Sequence, residues 1–375
     1  MAEKLHLPPE LPSASSTLTA QCYCKSVHYT VTLPSHALPL PVHLCHCSIC
    51  RRTHGSLCSV HAPLPAGVAP SFVAPSSMAA LTSYVHSPEA ISERFFCGTC
   101  GCHVGDLARE EADQAGHRTW TVATSIFDRH DEEVFQIRVL AMTASSPGGG
   151  LYTWLPSISG RKLEVRDDPF SRSPFPPSAE DPSGPELDAA GNERLRAECH
   201  CGGVSFTIPR PTLPEIAGDP ALKGCIAKRD PSKWVGVLDA CDDCRLVTGT
   251  HVVAWAFVPS AHLEPPLTRD LRLGTMKTFE SSPGVLRGFC GVCGATVIYR
   301  RDEGAPEGES RVVDVAVGVL RGPEGVLAEE WLCWRTRRIA FGESGRRYDP
   351  EFYGALESNF TAWGAEKYRT SGQTR

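Results

Sequence analysis

The chain of 375 residues contains only 4 methionines, and aromatic residues make up 8% of it. No apolar run approaches the roughly 18 residues of a membrane-spanning helix. The most apolar stretches, Val252–Val258 and Val312–Leu320, have the length of strands. The first residues, MAEKLHLPPELPSASST, lack the apolar centre of a secretory signal, so a cytoplasmic setting is expected, with the nucleus as the alternative. Positive charge is not in excess either. The formal net charge is −6, which gives no general attraction to nucleic-acid phosphates or anionic lipid. Neither nucleic acid nor membrane is expected as a partner. Long helical periodicity is also missing. With 41% hydrophobic and 21% charged residues, the composition is that of a globular protein.

What the chain does have is cysteine, 17 in all, in a pattern that occurs twice. The first copy reads Cys22-x-Cys24, then Cys45-x-Cys47-x-x-Cys50, then Cys97-x-x-Cys100. The second reads Cys199-x-Cys201, then Asp239-x-Cys241-x-x-Cys244, then Cys290-x-x-Cys293. Short clusters of this kind present tetrahedral thiolates to zinc. Disulfides belong mainly to small secreted domains, and cysteines two apart on a strand bridge each other badly. Cys58, Cys102, Cys225 and Cys333 match no ligand spacing and are expected to be small buried apolar residues.

The repeat divides the chain. Residues 1–17 form a leader, 18–165 a first domain, 166–194 a linker with six prolines, 195–341 a second domain and 342–375 a C-terminal extension with a short packed helix. Val27, Tyr29 and Val31, like Val204, Phe206 and Ile208, alternate with polar residues as in half-buried strands. TWTVATSIF, VFQIRVLAM, HVVAWAFV, ATVIYR and RVVDVAVGVL are also strand-like. The expected fold class is mainly β: two metal-stapled domains of small antiparallel sheets with few short helices. The second copy carries about 17 extra residues within IPRPTLPEIAGDPALKGCIAKRDPSKW, read as a loop insertion that costs little.

Two kinds of centre follow from the spacing. Cys22 and Cys24 point to one face of a strand, and Cys97-Gly98-Thr99-Cys100-Gly101 is a tight knuckle. Together they make a closed, structural four-cysteine zinc site, as do Cys199, Cys201, Cys290 and Cys293; redox-active dithiols are the alternative. Cys45, Cys47 and Cys50 offer three thiolates and leave a fourth position open, the arrangement of a catalytic zinc. His46 lies between two ligands and is expected to point away from the metal. Arg51 and Arg52, next in sequence, are suited to hold a carboxylate of a small anionic ligand. In the second copy Asp239 replaces a cysteine, so a metal held by Asp239, Cys241 and Cys244 is doubtful, with His251 a conceivable replacement ligand.

These residues resemble a known family. Leu44-Cys45-His46-Cys47-Ser48-Ile49-Cys50-Arg51-Arg52, Phe96-Cys97-Gly98-Thr99-Cys100-Gly101 and Gly149-Gly150-Leu151-Tyr152-Thr153-Trp154-Leu155-Pro156 are similar to segments of the glutathione-dependent formaldehyde-activating enzymes and centromere protein V. The resemblance implies a β-tent fold in each of two tandem domains. It also implies a structural zinc on Cys22, Cys24, Cys97 and Cys100, and a second zinc on Cys45, Cys47 and Cys50 whose free position takes the glutathione sulfur. The implied activity is that of a carbon–sulfur lyase, joining glutathione and formaldehyde, or a related thiol and aldehyde, as S-(hydroxymethyl)glutathione or its analogue. The first domain would be the active copy. The alternatives are a non-catalytic zinc scaffold, such as a chromatin-associated module, and a zinc-buffering or thiol redox sensor.

Overall fold

The computed structural model describes residues 14–112, 116, 118–167, 184–302 and 312–369. Most of the expected leader, the centre of the expected linker and the chain's last residues lie outside them. The expected strands are present. Ser15–Gln21 pairs antiparallel with His28–Pro34, which buries Tyr29, Val31 and Leu33 on one face. Glu193–Glu198 pairs in the same way with Ser205–Pro209, burying Phe206 and Ile208. The first strand begins at Ser15, and strand structure resumes at Glu186–Leu187.

Each half is built on one large sheet. In the first half eight strands run in the order Glu164–Arg166, Phe135–Ala141, Leu40–Cys45, Ser59–Pro63, Arg118–Ala123, His103–Ala112, Ser92–Cys97, Leu81–Tyr84. In the second half seven strands run Leu332–Trp334, Trp234–Asp239, Val253–Pro259, Val312–Ala316, Thr296–Arg301, Val285–Cys290, Met276–Ser282. The orders correspond, apart from the extra edge strand Glu164–Arg166. The sheets are larger than expected and not wholly antiparallel. Phe135–Ala141 lies parallel to Leu40–Cys45, and Leu332–Trp334 lies parallel to Trp234–Asp239. A parallel neighbour requires a long crossover, and in each half the rest of the sheet is that crossover.

The halves clasp each other through matching contacts. The residue inside each Cys-x-Cys pair donates its backbone N–H to the helix beside the other half's three-ligand cluster: Tyr23 to Leu246 O at 3.1 Å, and His200 to Arg52 O at 3.2 Å. Those helices, Ser48–His54 and Asp242–Thr248, both end on a left-handed glycine. A Cβ on Gly55 would sit 1.9 Å from Thr296 O, and one on Gly249 would sit 2.2 Å from His103 O. Glycine is therefore required twice over at each position, by φ and by the close approach of the other half's backbone.

The C-terminal extension is more than the short helix expected. Pro350–Lys367 is an 18-residue helix, capped by Asp349, whose side chain accepts from Phe352 N, with proline in its first turn. Its apolar stripe, Phe352, Tyr353, Leu356 and Phe360, is fully buried. Phe360 packs edge-on against Trp154 of the first half, with ring centroids 4.6 Å apart, and Trp154 in turn meets Trp334 of the second at 5.2 Å. The helix thus seals the seam between the halves. Among the described residues no helix is long and apolar enough to cross a membrane.

Gly249→Ala is expected to cost well over ~2 kcal/mol, because left-handed strain adds to a backbone collision. Gly160→Ala, at a similar φ of 75° but with nothing within 4 Å, is expected to cost only about 1 kcal/mol. Thermal or urea denaturation of the two variants compares them directly; equal costs would contradict the clasp.

Candidate metal centres

The cysteines predicted to act together are brought together. Cys22, at the end of the first strand, lies with its Sγ 3.5 Å from that of Cys24, and Cys24 lies 3.6 Å from Cys97. In the second half the Cys199–Cys201 and Cys201–Cys290 separations are 3.6 and 3.5 Å. Cys100 and Cys293 complete the two sets. Sulfurs about 2.3 Å from one zinc would stand roughly 3.8 Å apart in a tetrahedron, whereas a disulfide needs about 2.05 Å. The spacing fits a shared ion, and all 17 cysteines are free of disulfides. Backbone N–H groups support the sulfurs: Val27 N lies 3.4 Å from Cys22 Sγ, and Val204 N lies 3.3 Å from Cys199 Sγ. Hydrogen bonds from Cys100, Cys22 and Cys97 hold the Cys24 thiol far below its ordinary range, while those with Cys22, Cys24 and Cys97 push the Cys100 thiol far above it. Cys58, Cys102, Cys225 and Cys333 are buried, as expected.

Each three-ligand centre forms where a strand hands over to a helix. Cys45 ends the strand Leu40–Cys45, and Cys47 is the N-cap of the helix Ser48–His54, its Sγ accepting from Cys50 N at 3.4 Å. Cys45 and Cys47 sulfurs are 3.5 Å apart. Asp239 and Cys241 repeat this geometry. Asp239 Oδ1 accepts from Cys241 N at 2.8 Å, and Cys241 Sγ accepts from Cys244 N at 3.2 Å. All three ligand atoms of each set lie within 4.8 Å of one another, so Asp239 stands where a ligand would. His251 does not join this set; it faces His130 and Asp349 at the seam.

An arginine attends each centre that sequence reasoning passed over. Arg94 Nη2 lies 3.8 Å from Cys50 Sγ, and Arg287 Nη1 lies 3.5 Å from Cys244 Sγ. Both are buried, and both precede the Cys-x-x-Cys knuckle by three residues in an Arg-x-Phe-Cys sequence. That shared tetrapeptide was the available signal. Hydrogen bonds from Cys45 and Cys47, helped by Arg94, hold the Cys50 thiol well below its ordinary range despite burial. Arg51 and Arg52 are only 2% and 3% exposed. Arg51 donates to the carbonyls of His46 and Ser145 at 3.0 and 3.2 Å, which ties the centre to the loop after Phe135–Ala141. His46 is buried and faces Ala141 O at 3.2 Å.

Beyond the ligands the two centres differ. In the first half Asp106 holds His61 Nδ1 at 2.9 Å and stands 3.6 Å from Arg94 Nε, while His54 contacts His61 and stacks on His103. Burial and the neighbouring His103 and His61 keep His54 uncharged. Cys45, Cys47 and Cys50 are 4–8% exposed and share a small apolar cluster with Ile49, Ala141 and Met142. In the second half Trp255 and Tyr299 replace His61 and Asp106, and a cavity of about 1190 Å³ opens onto Asp239, Cys241 and Cys244. Arg287, Tyr299 and Asp314 line it deeper in. Its mouth is cationic: Lys223, Lys228 and Arg229 come from the inserted segment, and Arg335, Arg337 and Arg338 follow the strand Leu332–Trp334. The insertion read as a neutral loop is therefore a wall of this cavity. Burial, reinforced by Asp239, pushes the Asp314 carboxyl up to about 8.

A sequence model of the family described as glutathione-dependent formaldehyde-activating enzyme matches residues 17–138. The match lies within the first half of the chain. It spans Cys22, Cys24, Cys45, Cys47, Cys50, Cys97 and Cys100, the seven patterned cysteines of that half. No curated protein matches the chain.

Two outcomes are expected. Cys290→Ser should lower the zinc bound per chain by one equivalent and remove much of the ~10 kcal/mol that a structural zinc contributes, read by metal analysis and thermal denaturation. The folded chain keeps a proton on Asp314 up to about 8, which the unfolded chain releases near ~3.9. Its contribution to stability is therefore full below the lower value and is lost as pH rises through the upper. Asp314→Asn should raise Tm above about pH 8 and leave it unchanged near about pH 4; a pH-independent difference would refute the assignment.

Proposed function

We propose that the chain is a zinc-dependent carbon–sulfur lyase of the formaldehyde-activating type, acting on a small anionic thiol such as glutathione and an aldehyde. In this reading the reacting partners meet in the cavity of the second half. The observation that carries it is the three-ligand set Asp239, Cys241 and Cys244 facing a ligand-sized cavity with a cationic mouth. This departs from the sequence-based expectation of the first domain as the active copy. The first-half thiolates are closed in by apolar side chains, and its two candidate substrate arginines are buried.

The donor set suits zinc, with Asp239 a harder ligand than the cysteine it replaces. A zinc ion held there would favour the thiolate form of a bound thiol. Lys228, Arg229, Arg335 and Arg338 at the mouth bind the ligand's carboxylates. Arg287 holds negative charge at Cys244. Trp255 and Phe257 in the wall exclude water from the reacting atoms. The adduct forms when the thiol sulfur bonds to the carbonyl carbon, the carbonyl π bond opens, and the thiol proton ends on the oxygen. Asp314, a wall carboxyl that can hold a proton near neutral pH, carries that proton. Thiols add to aldehydes unaided, so the gain rests on positioning.

Exchange of formaldehyde with glutathione, followed by NMR on zinc-loaded protein, tests the reading. Cys241→Ser should remove the acceleration at least tenfold, and Cys47→Ser should leave most of it. The reverse result would return the reaction to the first half, and no acceleration by the wild type would reject lyase activity.

A further inference from the structure

His130, His251 and Asp349 belong to three different parts of the chain and meet at the seam between the halves. His130 follows the strand Arg118–Ala123 and its helical turn in the first half. His251 follows the helix Asp242–Thr248 in the second. Asp349 caps the C-terminal helix. All three are nearly inaccessible, at 4%, 0% and 5% exposure. His251 Nε2 lies 3.2 Å from His130 Nε2 and 3.6 Å from Asp349 Oδ2, and His130 Nδ1 lies 2.8 Å from the same oxygen. None of them touches the cysteine centres, and the lyase reading uses none of them.

We propose that these residues form a further divalent-metal site, with two imidazoles and one carboxylate, that clamps the two halves and the C-terminal helix together. Each side chain brings one ligand atom within 4.8 Å of the others. Ligands about 2.1 Å from a shared zinc stand roughly 3.4 Å apart at a tetrahedral edge, which the 3.2 and 3.6 Å separations from His251 Nε2 bracket. Hydrogen bonding does not account for every ring nitrogen facing the cluster: His130 Nδ1, buried and 2.8 Å from Asp349 Oδ2, is out of line for a hydrogen bond to it. The remaining surroundings hold the groups in place. Thr124 Oγ1 lies 3.3 Å from His130 Nε2, Tyr353 donates its hydroxyl to His251 O, and Phe135 stacks on His130. Asp349 keeps its second oxygen on Phe352 N, so the carboxylate is oriented by the helix it caps. With nitrogen and oxygen donors only, the site accepts zinc or another first-row divalent ion, and its burial at the seam suits a structural role.

Two measurements test this on the full chain. The first is ¹¹³Cd NMR of the cadmium-loaded wild type, which separates nitrogen- and oxygen-ligated cadmium from cadmium bound by thiolates and needs no variant. One resonance outside the thiolate region is expected; signals from thiolate sites alone would overturn the proposal and leave a metal-free chain of Asp349, His130 and His251. The second is metal content. Asp349→Asn keeps an acceptor for the helix cap but removes the charged ligand, and His251→Asn removes a ring. Each should lose one metal equivalent while the cadmium–thiolate signals persist. Unchanged metal content in both would likewise overturn it.

Discussion

Four cysteine sulfurs placed to share one tetrahedral ion govern this molecule. In each half two of them come from the turn of an early hairpin, just past the strand where the spacing had placed them, and two from a knuckle far along the sheet. Bringing sulfurs from Cys24 and Cys97 to 3.6 Å fixes the separation of the segments that carry them. The knuckle ends the strand Ser92–Cys97, whose Arg94 reaches the three-ligand centre, so the four-cysteine site also positions that centre. A metal held there would contribute to folding and serve as the reference point from which the three-ligand centre is built.

The same constraint joins the halves. Each Cys-x-Cys turn donates a backbone hydrogen bond to the helix beside the other half's three-ligand centre. A metal on the first half's four cysteines would therefore brace the candidate reactive centre of the second. The first half has filled the space behind its thiolates with His54, His61, His103 and Asp106. The second has exchanged these for Trp255 and Tyr299, an aspartate ligand and a cavity with a cationic mouth.

Much of this was legible in the cysteines and in the alternation of apolar residues, because metal ligation and strand burial both leave local, periodic marks. Cys22, Cys24, Cys97 and Cys100 could be grouped from spacing alone, and Tyr29, Val31 and Phe206 declared their face. The features that escaped depend on contacts distant in sequence. Arg51 and Arg52 looked available because they follow a ligand, but the helix turns them inward, and Arg51 is held by Ser145 O from the loop after the neighbouring strand. Arg94 sits 44 residues from the sulfur it serves. The basic residues of the insertion gained meaning only when the sheet brought them opposite Arg335 and Arg338. The C-terminal helix carried a helical stripe, yet its role depends on Trp154 and Trp334, each from a different half.

The account rests on zinc being bound by thiolates in both halves. X-ray absorption at the zinc edge of the intact chain, purified without added metal, addresses that most directly. The account predicts bound zinc with a first shell dominated by sulfur at about 2.3 Å and a minority of nitrogen or oxygen. A chain without zinc, or zinc surrounded mainly by nitrogen and oxygen, would contradict it.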